Sequence, residues 1–322
     1  MKQVVTIGGG TGHYTILRGL KNYNVHLDAL VSVADNGGSS GRLKDEFVEF
    51  GILPPGDIRN CLLALTDEAI LPHIVSLFNY RFPETGKTLS SHNLGNLIIA
   101  ACQDVYGKNE GIRIASNILG IKDSRVIPIS IDSTNIYAKT KSGKNLEGQI
   151  QVSYPDKDDK IEKVWLNPRA FINKIASESI ENADMIVICP GDLYGSIIPN
   201  FLVDGTNEAI ENSKAKIVYV CNLVTKQGTY GFKASDFVEQ IERYMTLRSI
   251  DYVVCNTKKP VSEIVDKYKN ENSDFVYPDL NDKNVIKTDL LVEQKIGDKV
   301  IARHNSQKTA SVLMSILKGN CS

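Results

Sequence analysis

Three turns crowded into the first sixty residues hold the residue types that bind phosphate. Gly8-Gly9-Gly10-Thr11-Gly12 follows the apolar run Val4-Val5-Thr6-Ile7. Asp35-Asn36-Gly37-Gly38-Ser39-Ser40-Gly41-Arg42 follows Leu30-Val31-Ser32-Val33-Ala34, and Pro54-Pro55-Gly56-Asp57-Ile58-Arg59-Asn60 comes third. Glycine lets a ligand approach the backbone. A glycine-rich turn leading from a strand into a helix aims unpaired N–H groups at an anion. Several such turns at the ends of neighbouring strands point to one phosphate-rich ligand spread along a sheet edge. Thr11 and His13 add side-chain donors to the first turn, and Arg42, Arg59 and Asn60 suit phosphate or ribose. Asp35 ends the second expected strand, where nucleotide-binding sheets place an acid against a ribose hydroxyl. Alternatively it holds a metal or a reacting hydroxyl. Asp57 reads as the N-cap of the helix that follows it.

Four further sites belong to the same pattern. Ser90-Ser91-His92-Asn93-Leu94-Gly95-Asn96 opens an apolar helix, and His92 and Asn96 lie one turn apart on it. Pro190, Gly191, Asp192 and Ser196 form a Pro-Gly turn directly after a strand-like run. Asn222 ends the next such run, with Lys226 close behind. Arg303 stands between a short strand and the last helix. Each signal alone is weak, but together they put polar groups at the tips of consecutive strands. The first turn fits neither common phosphate fingerprint. Its G-x-G-x-x-G register ends on His13 or Thr15, and no Gly-Lys-Ser/Thr follows. This counts against a nicotinamide-dependent oxidoreductase.

These turns need a sheet to align them, and the rest of the chain supplies one. The 322 residues are 42% hydrophobic and 23% charged with a net charge of −1, which is globular and without a global field for nucleic acid or anionic membrane. No run is long enough to span a bilayer, and the N-terminal apolar stretch is too short for a signal peptide. Six cysteines without a CxxC pair read as reduced, mostly buried thiols of a cytoplasmic protein. Residues 4–7, 27–33, 184–189, 216–222 and 251–256 are strand-length apolar runs. Those after residue 168 are near-continuous in Val and Ile, as strands buried on both faces are. Stretches 14–21, 58–65, 71–80, 94–105, 207–213, 235–245, 261–269 and 306–318 have helical length or spacing. Residues 129–167 break the rhythm with short segments at 135–140, 149–154 and 161–166, separated by turn signals, which read as antiparallel hairpins. The expectation is an α/β, Rossmann-like, doubly wound and mostly parallel sheet with a small inserted antiparallel β excursion. Its core spans 1–128 and 168–322, with the insertion at 129–167.

The glycine turn near the start, the block from Ser32 to Arg42, the segment from Pro54 to Asn60, His92 to Leu97 and Pro190 to Asn200 follow one another in a known order. The chain resembles the CofD/YvcK family over nearly its whole length, and within it the YvcK branch, the so-called gluconeogenesis factors of bacteria. The resemblance implies a Rossmann-like fold. It implies, for the CofD branch, metal-dependent transfer of a 2-phospho-lactyl group from a nucleotide-activated donor to a deazaflavin. For the YvcK branch it implies binding of UDP-N-acetylglucosamine, with links to gluconeogenic growth, cell shape and peptidoglycan precursor supply. Two departures bear on chemistry. The family's Asp-Asp is Asp35-Asn36 here, and its Gly-Glu-Thr is Gly228-Thr229-Tyr230. A neutral amide is a poorer Mg²⁺ ligand than a carboxylate.

The expected function is therefore a cytosolic regulatory protein that binds a nucleotide-sugar or another phosphate-rich nucleotide, with neither nucleic acid nor membrane as partner. A homo-oligomer is compatible with the sequence. The competing reading is a Mg²⁺-dependent transferase in which Asp35 or Asp57 holds the metal.

Overall fold

The computed structural model describes residues 1–34, 52–86, 89–156, 158–282, 284–296 and 299–320. The sequence-identified residues Asp35, Asn36, Gly37, Gly38, Ser39 and Arg42, with Cys321, lie outside these described residues.

The chain begins β1 (Lys2–Gly8), α1 (Gly10–Leu20), β2 (Val25–Val31), α2 (Pro55–Leu65), α3 (Pro72–Asn79), α4 (Leu94–Tyr106), α5 (Lys108–Ile118) and β3 (Ser124–Pro128). The inserted stretch holds β4 (Asn135–Thr140), β5 (Asn145–Glu147), α6 (Gly148–Ser153) and β6 (Ile161–Asn167). Then come α7 (Lys174–Glu181), β7 (Met185–Ile188), a π-helical turn (Leu193–Ile197), α8 (Ile198–Phe201), α9 (Thr206–Asn212), β8 (Lys216–Val220), α10 (Ala234–Tyr244), β9 (Tyr252–Asn256) and α11 (Ser262–Asn270). The chain closes with β10 (Val285–Thr288), β11 (Leu291–Ile296), β12 (Lys299–His304) and α12 (Ser306–Lys318).

Seven strands form one sheet in the order β10-β9-β8-β7-β1-β2-β3, and every pairing in it is parallel. The Val- and Ile-rich runs explain the parallel pairing. Ile186, Val187, Ile188, Ile217 and Val218 have no exposed surface, so helices cover both faces. From β1 the chain winds outward through β2 and β3. It then returns to the other side of β1 with β7 and continues to β10. The gap between β1 and β7 is thus the topological switch point, where open α/β sheets bind ligands.

The inserted segment forms a separate three-stranded antiparallel sheet, β5-β4-β6. One expected hairpin strand is wrong: residues 149–154 fold mostly as the helix α6. The alternation Ile150, Val152, Tyr154 suggested a strand, but a segment this short carries no distinguishing period. The strand pairing with β4 is the three-residue β5 just before it. β11 and β12 form an antiparallel hairpin, whose first strand no sequence signal had marked. No helix among the described residues is long and apolar enough to cross a membrane.

Candidate functional site

The loops after β1, β7 and β8, with the end of β12, close around one cleft of about 170 Å³ at the switch point. Gly9, Gly10, Thr11, Gly12, Pro190, Gly191, Asp192, Ser196, Asn222, Lys226 and Arg303 line it. All were expected from the sequence to contact ligand. The β1 and β7 loops nearly touch. A Cβ on Gly12 would sit 1.8 Å from the Pro190 carbonyl oxygen, so this position accepts glycine alone.

α1 starts at Gly10 with no side-chain cap and no acid in its first turn. Asp57 takes the Gly10 N–H at 2.7 Å, and the next two residues, Thr11 and Gly12, line the cleft. Asp57 is not the N-cap that its position suggested. α2 begins two residues earlier, at Pro55, and has no side-chain cap. The carboxylate instead reaches across to the first glycine turn.

On the opposite wall, Asn222 shapes the Pro190–Gly191 turn. Its Nδ2 donates to the Gly191 carbonyl at 2.6 Å, and its Oδ1 accepts from the Gly191 amide and from the Tyr219 hydroxyl. Asp192 is spent twice: Oδ1 accepts the Gly195 amide at 2.7 Å, and Oδ2 lies 3.2 Å from Lys226 Nζ. Burial opposes the Lys226 charge, but Asp192 with help from Tyr154 and Asp57 outweighs it and raises the ammonium's pKa. Arg303 differs. Burial lowers its pKa, only Tyr268 opposes that, and no ion-pair partner balances its charge among the described residues. A half-buried guanidinium without a counter-ion among the described residues makes this end of the cleft a candidate site for an anion.

Several expected residues lie elsewhere. His13 does not reach the cleft. It is wholly buried, with Nε2 2.7 Å from the Thr6 hydroxyl and Nδ1 3.5 Å from the Cys61 sulfur. Burial pulls its pKa down to about 4, so it is a neutral core residue. Gly8 is the last residue of β1, below the turn. Arg59 and Asn60 are on α2 and bond each other at 3.1 Å. His92 and Asn96 are buried at the start of α4, where Asn93 is the cap. Arg59 packs against Gly95 on the same helix. Its buried Nε has no hydrogen-bond partner, and burial with the nearby Arg81 lowers its pKa to about 10 against the pull of Asp57. These residues form a polar cluster behind Asp57 rather than a wall of the cleft.

Thr15, Leu223, Val224, Ala302 and His304 also line the cleft and were not anticipated. His304 is buried, its pKa is lowered to about 4 by burial, and its Nε2 donates to the Cys221 carbonyl at 3.1 Å. Only its place beside Arg303 could have marked it.

The described residues do not by themselves make a home for the divalent metal that the transferase chemistry uses. No group of three or more His, Cys, Asp or Glu among them could hold an ion. Asp57 is engaged by the Gly10 amide, and Asp192 by Gly195 and Lys226.

A family model described as 2-phospho-L-lactate transferase CofD matches residues 4–295. A gluconeogenesis factor from Bacillus subtilis is 36% identical, covering 98% of each chain. A Thermotoga maritima protein bearing the same name provisionally is 41% identical, over 98% of this chain and 99% of its own. A crystal structure of a Bacillus halodurans protein superposes with a TM-score of 0.88 at 36% identity, covering 97% of this chain and 99% of that one. With a family model over most of its length and relatives aligned nearly end to end, this chain belongs to the CofD/YvcK family, beside the relatives named gluconeogenesis factors.

Proposed function

We propose that this chain is a cytosolic regulatory protein that binds a nucleotide-sugar of the UDP-N-acetylglucosamine type and through it influences carbon flux, peptidoglycan precursor supply and cell shape. The observation that carries this reading is that the glycine turn opening α1 and Arg303, which has no counter-ion among the described residues, line one switch-point cleft. A diphosphate supplies the two negative groups that such a pair favours. The gluconeogenesis-factor names of its relatives support the regulatory role.

The alternative is a Mg²⁺-dependent 2-phospho-L-lactate transferase-like enzyme acting on a nucleotide-activated donor, which the family model's description favours. Against it stands Thr229 in place of the family's glutamate. Its hydroxyl accepts the Lys226 amide at 3.0 Å, so it serves the turn and offers no base. Calorimetry with UDP-N-acetylglucosamine, GDP and NAD, each with and without Mg²⁺, separates the readings. The proposal expects heat from the UDP-sugar, none from NAD and little change with Mg²⁺. No heat from the UDP-sugar would sink it. So would phospholactyl transfer to a deazaflavin, seen by mass spectrometry and lost in Asp35→Asn.

A further inference from the structure

The inserted β unit does not stand apart from the cleft. Its helix α6 and the two residues after it lie against two of the cleft's loops. Gln149 Nε2 donates to the Gly195 carbonyl at 3.3 Å, and Gln227 Nε2 donates back to the Pro155 carbonyl at 2.6 Å. Val152 and Ser153 line a small recess that shares Gly191, Asp192, Asn222 and Lys226 with the cleft. Between these anchors Tyr154 projects outward, 58% exposed, with its ring 5.8 Å from Lys226 Nζ. Lys226 is thereby held from two sides, by Asp192 and by an aromatic face.

The arrangement gives the cleft two unlike ends. At one end Thr15, Leu223, Val224 and Arg303 provide donors and aliphatic surface, and among the described residues no Phe, Tyr or Trp lines this cleft. At the other end, past Lys226, stands the exposed ring of Tyr154. A large aromatic left in water beside a lysine of a binding cleft is a stacking platform in search of a planar partner. The geometry points to Tyr154 as the residue of the inserted unit that stacks on the nucleobase of the bound nucleotide, with Lys226 bridging the ring to the phosphates. Gln149 and Gln227 are positioning residues that hold the inserted unit against the cleft. This assignment rests on the nucleotide-binding reading above and adds a base-recognition role for the insertion.

Stacking is tolerant of base identity, so the test uses UDP, GDP, UDP-N-acetylglucosamine and inorganic pyrophosphate as probes on the full chain. Tyr154→Ala is expected to weaken UDP and UDP-N-acetylglucosamine equally, by about tenfold. Pyrophosphate affinity stays unchanged, and Tyr154→Phe restores wild-type binding because it keeps the ring. Nucleotide binding untouched by Tyr154→Ala overturns the stacking role while leaving the proposed function intact. Loss confined to the UDP-sugar puts the sugar at this end and overturns it too. An equal loss of pyrophosphate reduces Tyr154 to a prop for Lys226. If the wild-type chain binds no nucleotide at all, both readings fall together.

Discussion

Arg125 and Arg303 are two partly buried arginines in opposite circumstances. Arg125, on the edge strand β3, forks onto Asp28 through Nε at 2.8 Å and a terminal nitrogen at 2.6 Å. Asp28 has no exposed surface and also receives His26, Gln3 and the Ser179 hydroxyl, which joins α7 to the sheet. Those hydrogen bonds raise the Arg125 pKa. Arg303 has no such carboxylate among the described residues, and burial lowers its pKa. A buried charge with all its partners is a structural fastener. One without a counter-charge costs folding free energy, a cost that a ligand bringing the missing charge would relieve.

The comparison is sharpest if the two arginines are removed in turn. Arg125→Met leaves Asp28 buried without its main counter-charge. Stability is expected to fall by about 3 kcal/mol, the low end for such a break because Arg125 is itself half exposed. UDP affinity is unaffected. Arg303→Met should do the reverse. Affinity for UDP drops about thirtyfold, near 2 kcal/mol, the scale of a hydrogen bond to a charged group. The denaturation midpoint does not fall, and rises to the extent that the uncompensated charge cost folding free energy. Urea titration and calorimetry on both variants decide the matter, and an Arg303→Met chain that unfolds while binding normally would invert the assignment.

Acid probes the same contrast with a smaller effect. His304 beside Arg303 and His13 beneath the glycine turn both have pKa values lowered to about 4 by burial. In the unfolded chain a histidine titrates near 6.5. The full stability is therefore present above pH 6.5 and is lost as pH falls toward 4, because the unfolded state takes up the protons first. By pH 5 each histidine accounts for about 2 kcal/mol. His304→Gln should flatten the dependence of the denaturation midpoint between pH 6.5 and 5 by that amount. An unchanged slope would mean that His304 charges within the fold.

Much of this cleft was legible because glycine, proline and asparagine at strand ends have few reasons to be there. The parallel sheet followed from uninterrupted Val and Ile runs, and the sheet aligned the turns. What escaped were contacts that cross sequence. Asp57 looked like a cap because its own helix follows it, yet its partner is 47 residues away. His13 sits beside phosphate-binding glycines in sequence, but as the fourth residue of α1 it turns inward to Thr6 and Cys61. The segment 149–154 is too short for its period to decide helix against strand, so the position of Tyr154 beside Lys226 was invisible. The stretch holding Asp35, Asn36 and Arg42 lies outside the described residues, and its expected role stands as a proposal.

The smallest expected effect falls on Gly10, which belongs to both halves of the comparison. Its φ of +67° is a conformation side chains avoid, yet an added Cβ would meet no atom within 4 Å. Gly10→Ala therefore costs about 1 kcal/mol of backbone strain and causes no clash in the free protein. The bond from its amide to Asp57 is a backbone bond and survives the substitution. The new methyl instead occupies space that belongs to the cleft, since Gly10 is one of its lining residues. Affinity for UDP should fall by more than the stability loss explains, measured by calorimetry at a temperature where the variant is fully folded. If stability drops by the expected amount and UDP binds as before, phosphate does not approach the backbone at this turn. The glycine would then be there for the turn alone, and the uncompensated charge of Arg303 would need another partner.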